Sequence, residues 1–224
     1  MENKEVNVSY IQALAMKTQF EIESDLRDIE IHFTMWEREF NLKYSKLKVE
    51  ELEEKDRDSE GARIYYHVRR AIIDNIQKPI YVKSTLVMLF SVLDISLHKI
   101  GEFLSEVNKV DDRTKKGFGL ERSYRYLKEN FNIVLDELDQ DSWIFLKRTN
   151  VVRNCIVHAG SDTTYLGARD KIAIEKLANE NRGLSVELGR ITVSYELIKE
   201  IFHSIKHLLE ALIAQQVEPY NKAA

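Results

Sequence analysis

The sequence predicts an all-α bundle, and three observations carry that expectation. Only two prolines occur, Pro79 and Pro219, and no glycine precedes Gly61, so helix breakers are scarce over long stretches. Apolar residues recur three and four apart through most of the 224 residues. Strand-like alternation is confined to a short segment near residues 184–193.

The elements follow in order. Ile22, Leu26, Ile29, Phe33, Trp36 and Phe40 step by four and three, and Leu47 rejoins the phase. The pattern predicts a long amphipathic helix from near Ser9 into the charged run Glu50–Glu60. Residues 1–60 are thus read as one long helix, part of or appended to a helical domain of residues 61–224. Its apolar side suits an intramolecular helical hairpin; a dimerising coiled coil is the alternative, over little more than three heptads. Gly61 predicts a turn. A second helix, Ala62 to Lys78, carries Ile64, Val68, Ile72 and Ile76, and Pro79 ends it or opens the next.

Ile80 to Glu106 is apolar nearly all round, which places it at the centre of the bundle. Lys83, Asp94, His98, Lys99 and Glu102 interrupt it, so it reads as a buried helix and not a membrane span. Val107 to Leu120 is a loop, followed by helices over Leu120–Asn130 and Asp141–Ala159, a polar loop at Ser161–Tyr165 and a short helix over Arg169–Asn179. Leu184–Leu188 and Ile191–Val193 form a small β-hairpin turning at Gly189-Arg190. Ser194 caps a last helix whose inner side is Leu197, Ile201, Ile205, Leu208, Leu209 and Leu212.

Bulk properties narrow the function classes. A hydrophobic content of 44% is ample for a core, and a formal charge of −4 excludes a wholly basic nucleic-acid coat while leaving room for a local basic groove. One cysteine, Cys155, cannot form an internal disulfide. The opening MENKEVNVSY lacks the apolar run of a signal peptide. A soluble cytoplasmic protein is expected. No spacing resembles a zinc site or a phosphate-binding glycine loop, so neither metal nor cofactor is expected; His203 and His207 are read as surface residues.

The chemistry concentrates in Val151–Gly160. Lys147, Asn150, Asn154 and His158 share one face of the predicted helix, and Arg153 flanks it about 140° from His158. A solvated face ordinarily mixes Glu and Lys, whereas this one gathers Arg, two Asn and a His. Asn154 and His158 are four apart, so the amide is placed to orient the imidazole. Histidine moves protons near neutrality, and arginine offers a permanent planar cation for phosphate. Together, without a carboxylate cluster, they point to metal-independent cleavage of RNA, whose own 2′-hydroxyl is the nucleophile. Cys155 falls on the apolar side and reads as a small buried hydrophobe, not a thiol nucleophile.

A basic segment adds a candidate RNA surface: Arg113, Lys115, Lys116, Arg122, Arg125 and Lys128, with Tyr124 and Tyr126 interleaved to stack a base. The string RNCIVH resembles the Arg-polar-x-x-x-His signature of the HEPN superfamily, all-helical domains many of which are ribonucleases. Asp94, in SVLDISL, resembles the acidic residue of the family's apolar helix, where Glu is commoner. The resemblance covers roughly Ile80 to Leu212. It implies a HEPN-like bundle and an endoribonuclease of the toxin or phage-defence kind. Such an enzyme acts as a homodimer with one composite cleft, often under an antitoxin partner. Arg153, His158 and Asn154 would be catalytic, with Asp94, Lys147 and Asn150 in support. Two rivals stand beside it: a non-catalytic HEPN-like module that binds RNA or protein, and an interaction module built on the N-terminal heptads.

Overall fold

The computed structural model describes residues 8–53, 60–110, 119–180 and 183–221. Helix α1 spans Val8–Glu53. Ala15, Ile22, Leu26, Ile29 and Phe33 lie in the main core, and Phe40 and Leu47 join Tyr66 and Ile73 in a smaller second one. Helix α2, Glu60–Ile72, runs antiparallel to α1. Arg69 reaches Glu50 at 2.9 Å, Arg70 pairs with Glu51, and Lys43 meets Gln77 at 3.3 Å. The residues of the α1 heptad pattern from Ile22 to Leu47 are therefore covered within the chain, the last of them by a helical hairpin with α2.

The expected turn at Gly61 is corrected. Gly61 lies inside the first turn of α2, so the connection falls in 54–59, outside the described residues. Pro79 stands at the opening of the next helix, one of its two expected places, but no break precedes it. A π-helical turn, Ile73–Gln77, links α2 directly to α3, Lys78–Asn108. Within that turn the Lys78 N–H donates to the Ile73 carbonyl, one residue further back than in an α-helix. The widened turn accommodates a residue that has no N–H to give and a ring that would crowd the carbonyl four residues earlier. Finally, Ile64, Val68, Ile72 and Ile76 face outward, 40–57% exposed, because α2 turns Tyr66 and Ile73 towards α1 instead.

Helix α3 is the axis of the molecule. Leu86, Leu89, Leu93 and Ile100 are fully buried, and α1 and the later helices pack around them. By length and composition Glu60–Asn108 is apolar enough to cross a bilayer, yet α3 spends its inward side on this bundle. Lys99 is held by Asp25 at 3.0 Å and Glu21 at 3.4 Å, tying α3 to α1. The helix ends two residues later than expected, with Lys109 in the left-handed region.

Helix α4, Leu120–Phe131, crosses α3 closely at Gly101: a Cβ there would stand 3.1 Å from the Tyr126 ring. A short unanticipated turn, α5, covers Leu135–Leu138. Helix α6 spans Gln140–Ala159, one residue earlier than expected because Asp139 caps it by accepting from the Ser142 N–H at 3.1 Å. The expected polar loop at 161–165 contains a 3₁₀ turn, Thr163–Tyr165, and buries Ser161 and Thr163. Helix α7 is Ala168–Asn179.

Strands β1, Leu184–Glu187, and β2, Arg190–Val193, pair antiparallel with Glu187 opposite Arg190. The turn is Leu188-Gly189, both at positive φ, and not Gly189-Arg190, so Arg190 begins β2. Ser194 caps α8, Tyr195–Gln216, accepting from the Leu197 N–H at 3.2 Å, and all six of its predicted inner residues are buried. A last turn, α9, is Glu218–Asn221.

Leu89→Ala empties a fully enclosed site on α3 and should cost about 2–5 kcal/mol. Ile64→Ala, on the outward stripe of α2, should change stability by no more than about 0.5 kcal/mol. Urea midpoints of the two variants check the inside-outside assignment of each helix.

Candidate functional site

The RNCIVH string occupies the last two turns of α6. Trp143, Phe145, Leu146, Thr149, Val152 and Cys155 fix that helix to the interior. Its end is closed by Gly160 at φ 58, whose N–H donates to the Cys155 carbonyl, joined by the Ser161 N–H at 3.2 Å. The hairpin then seals the corner. The Thr163 N–H donates to the Gly189 carbonyl at 2.7 Å, and the Ile191 N–H donates to the Ser161 carbonyl at 2.9 Å. Asp162 and Arg190 form a bridge between the two segments. The end of α6 is thus held by backbone bonds on rigid neighbours.

Fixing α6 in this way leaves His158 on the solvent side, exposed and with no hydrogen bond to any described residue. Its ring nitrogens are open to a substrate. Asn154 does not orient it: its side-chain carbonyl accepts from Arg153 Nη1 at 3.0 Å. Arg153 is half-buried, and its Nε is buried without a partner. Within one chain Arg153 and His158 project from different sides of the helix, as their about 140° separation requires. Cys155 is fully buried, and burial, followed by the Asp162 charge, pushes its thiol up, so it is no nucleophile.

The supporting residues are placed as follows. Lys147 pairs with Asp136 at 2.8 Å and lies over the Trp143 ring. The same contact, ahead of the Tyr124 hydroxyl at 3.3 Å, holds the Asp136 carboxyl below its ordinary range. Asn150 is half-buried without a hydrogen bond to a described residue. Asp94 faces α4, where it accepts from the Gly119 N–H at 2.9 Å and the Ser123 hydroxyl at 2.6 Å. It caps α4 from a neighbouring helix and fixes where that helix begins. His98, one turn on, pairs with Glu102 at 3.4 Å and not with Asp94.

Arg113, Lys115 and Lys116 lie outside the described residues. Arg122, Arg125 and Lys128 are exposed on α4. A shallow groove there is lined by Arg125 and Lys128 but also by Glu121 and Glu129. The interleaved tyrosines are both half-buried, and Tyr124 also lines this groove. Tyr124 sits edge-on to Trp143 at 4.8 Å, and Tyr126 is pressed against Gly101 with its hydroxyl 2.5 Å from that of Ser105. Tyr124, four residues after Leu120 and three before Leu127, shares their inward side, whereas Tyr126 lies about 100° round from Leu127.

Two cations escaped the motif-based reading. Lys83 of α3 and Arg190 of β2 belong to elements that pack together, far apart in sequence and without a motif around either, and Arg190 is bridged to Asp162 just beyond α6. Among the described residues no group of three or more His, Cys, Asp and Glu is placed to hold a metal ion. No protein-family model matches the chain, and no curated protein or solved structure matches it.

Asp94→Ala would leave the Gly119 N–H and the Ser123 hydroxyl unpaired, at a cost of about 1–3 kcal/mol. Amide exchange should accelerate first in the opening turn of α4, and protection in α8 should persist. Equal loss of protection in both helices would contradict a local capping role.

Proposed function

We propose that the chain is a HEPN-like ribonuclease that cleaves RNA without a metal. One observation carries the reading. The Arg-Asn-x-x-x-His string sits on a helix rigidly clamped at its C-terminal end, with the imidazole of His158 exposed and uncommitted. An exposed imidazole at that point is free to exchange protons with a bound strand.

The chemistry follows from these groups. The His158 imidazole takes the proton of a ribose 2′-hydroxyl, and the 2′-oxygen attacks the adjacent phosphorus. The bond from phosphorus to the 5′-oxygen breaks, and that oxygen receives a proton. The products are a 2′,3′-cyclic phosphate and a 5′-hydroxyl. Guanidinium charge at the phosphate stabilises the dianionic transition state in a partly desolvated site. Asn154, by accepting from Arg153, fixes the direction in which that guanidinium points.

Arg153 and His158 diverge on one helix, so a second copy, presenting its own α6 across a two-fold axis, supplies each histidine with an arginine. A homodimer with a composite cleft is part of the proposal. Arg122, Arg125 and Lys128, exposed on α4 beside Glu121 and Glu129, offer cations for the rest of the strand. A nuclease of this kind is toxic to its own cell, which favours a toxin or phage-defence role under an antitoxin-like partner.

Labelled single-stranded RNA and transfer RNA, incubated with the purified protein in EDTA, should be cut to cyclic-phosphate ends. His158→Ala should slow cutting about 10²–10⁴-fold, and Arg153→Ala about 10²–10³-fold. Mixing the two inactive variants should restore part of the activity if the cleft is composite. A wild type that cuts nothing, or variants that cut equally well, would leave a helical module that binds RNA or protein.

A further inference from the structure

We propose that the outward stripe running along α2 into α3 is a self-association surface, on which a second copy of this chain packs antiparallel about a two-fold axis at Ile72. The stripe shares no residue with α6, so the inference stands apart from the ribonuclease reading and from the pairing proposed there.

Five β-branched residues, Ile64, Val68, Ile72, Ile76 and Ile80, recur at every fourth position, and all of them stay 40–64% exposed. The inner side of α2 is spent on α1, where Tyr66 and Ile73 pack with Phe40 and Leu47. Along a plain α-helix, steps of four overshoot a full turn by about 40°, so five such residues would wind about 160° round the rod. The π turn at Ile73–Gln77 closes its hydrogen bond at the fifth residue and fits more residues into one turn. It thereby takes back part of that drift between Ile72 and Ile76. The turn that precedes Pro79 also keeps the aliphatic residues in one strip, about 24 Å long.

Area and charge together select the occupant. Each of the five residues leaves on the order of 100 Å² in water, about 500 Å² for one copy, a size that marks an interaction surface on a soluble protein. Two copies would bury about 1,000 Å², which reaches the lower bound of a specific interface and suits a roughly micromolar pairing. Arg69 is answered by Glu50 at 2.9 Å, Arg70 by Glu51, and Lys78 by Asp74 at 3.1 Å. With these charges settled inside the chain, the flanks form no polybasic face of the kind that holds anionic lipid. Charge also selects the direction. Pairing about Ile72 sets Ile64 against Ile80 and Val68 against Ile76, and it places Arg63 and His67 opposite the uncharged Tyr81 and Gln77. A parallel pairing would set Arg63 against Arg63. The uniform row is self-complementary in the antiparallel sense, as a two-fold interface requires.

The test follows the full-length protein by sedimentation velocity from about 0.1 to about 100 μM, a range that brackets a micromolar equilibrium. Wild type should pass from monomer to dimer across it. Stability comparisons on the stripe are read at the submicromolar end, where the chain is monomeric. Replacing Val68→Asp and Ile76→Asp together should raise the dissociation constant at least about a hundredfold with helicity unchanged, since each charge would be desolvated against isoleucine. Register is read with introduced cysteines, because Cys155 is fully buried and stays out of reach. Only facing residues come within disulfide reach, about 7 Å between Cα atoms. Under air with copper phenanthroline, Ile72→Cys should link to itself, Ile64→Cys should not, and a mixture of Ile64→Cys with Ile80→Cys should cross-link. A wild type that stays monomeric, dimers that persist in the aspartate variant, or Ile64→Cys linking to itself overturns the proposal. A monomer that floats with phosphatidylserine vesicles would assign the stripe to lipid, and persisting dimers would belong to another face, α6 included. Neither readout uses RNA cleavage, so this inference and the ribonuclease reading fail separately.

Discussion

The desolvation of α3 is the constraint on which the rest of this structure depends. Leu86, Leu89, Leu93, Leu97 and Ile100 occupy more of its circumference than any single neighbour can cover. Burying such side chains is favourable by roughly 1.5–3 kcal/mol each, so the helix gathers α1, α4, α6 and α8 around it. Polar residues on it are drawn into service as ties. Lys99 holds α1 through Asp25 and Glu21, and Asp94 caps α4. The π turn at Ile73–Gln77 belongs to the same economy, since it lets one rod carry both the hairpin with α1 and the central axis despite Pro79.

The position of α6 is a second-order consequence of that packing. Its buried side is pressed on α3 and α8, and its C-terminal end is locked by backbone bonds from 161–163 and the β-hairpin. Because those locks use peptide groups, the side chains at the corner are released from structural duty. His158 is open to solvent, and Arg190 stands beside Asp162 at the same corner.

The candidate site was legible in part. RNCIVH marked the helix, and the spacing of Arg153 and His158 already stated that one helix cannot bring both to one point. Asn154 was misassigned because residues four apart are neighbours on paper, whereas the longer Arg153 side chain reaches its carbonyl first. Tyr124 and Tyr126 looked available among cations, but α4 needs its aromatic side to cover Gly101 and Trp143. Lys83 and Arg190 carry no local signal, being separated by more than a hundred residues.

What the sequence determined by itself is the set of elements and, for α1, α3 and α8, the side each buries, because apolar periodicity and capping are local and repeat over many turns. Tertiary structure alone decided how those elements serve one another. It turned the isoleucine stripe of α2 outward, since α1 presents Phe40 and Leu47 to Tyr66 and Ile73. It carried α2 into α3 through a wide π turn just ahead of Pro79. It also brought an arginine of β2 beside Asp162, just beyond the end of α6. Charges distant along the chain meet only when packing and backbone hydrogen bonds fix the paths between them, and no periodicity records where those paths cross.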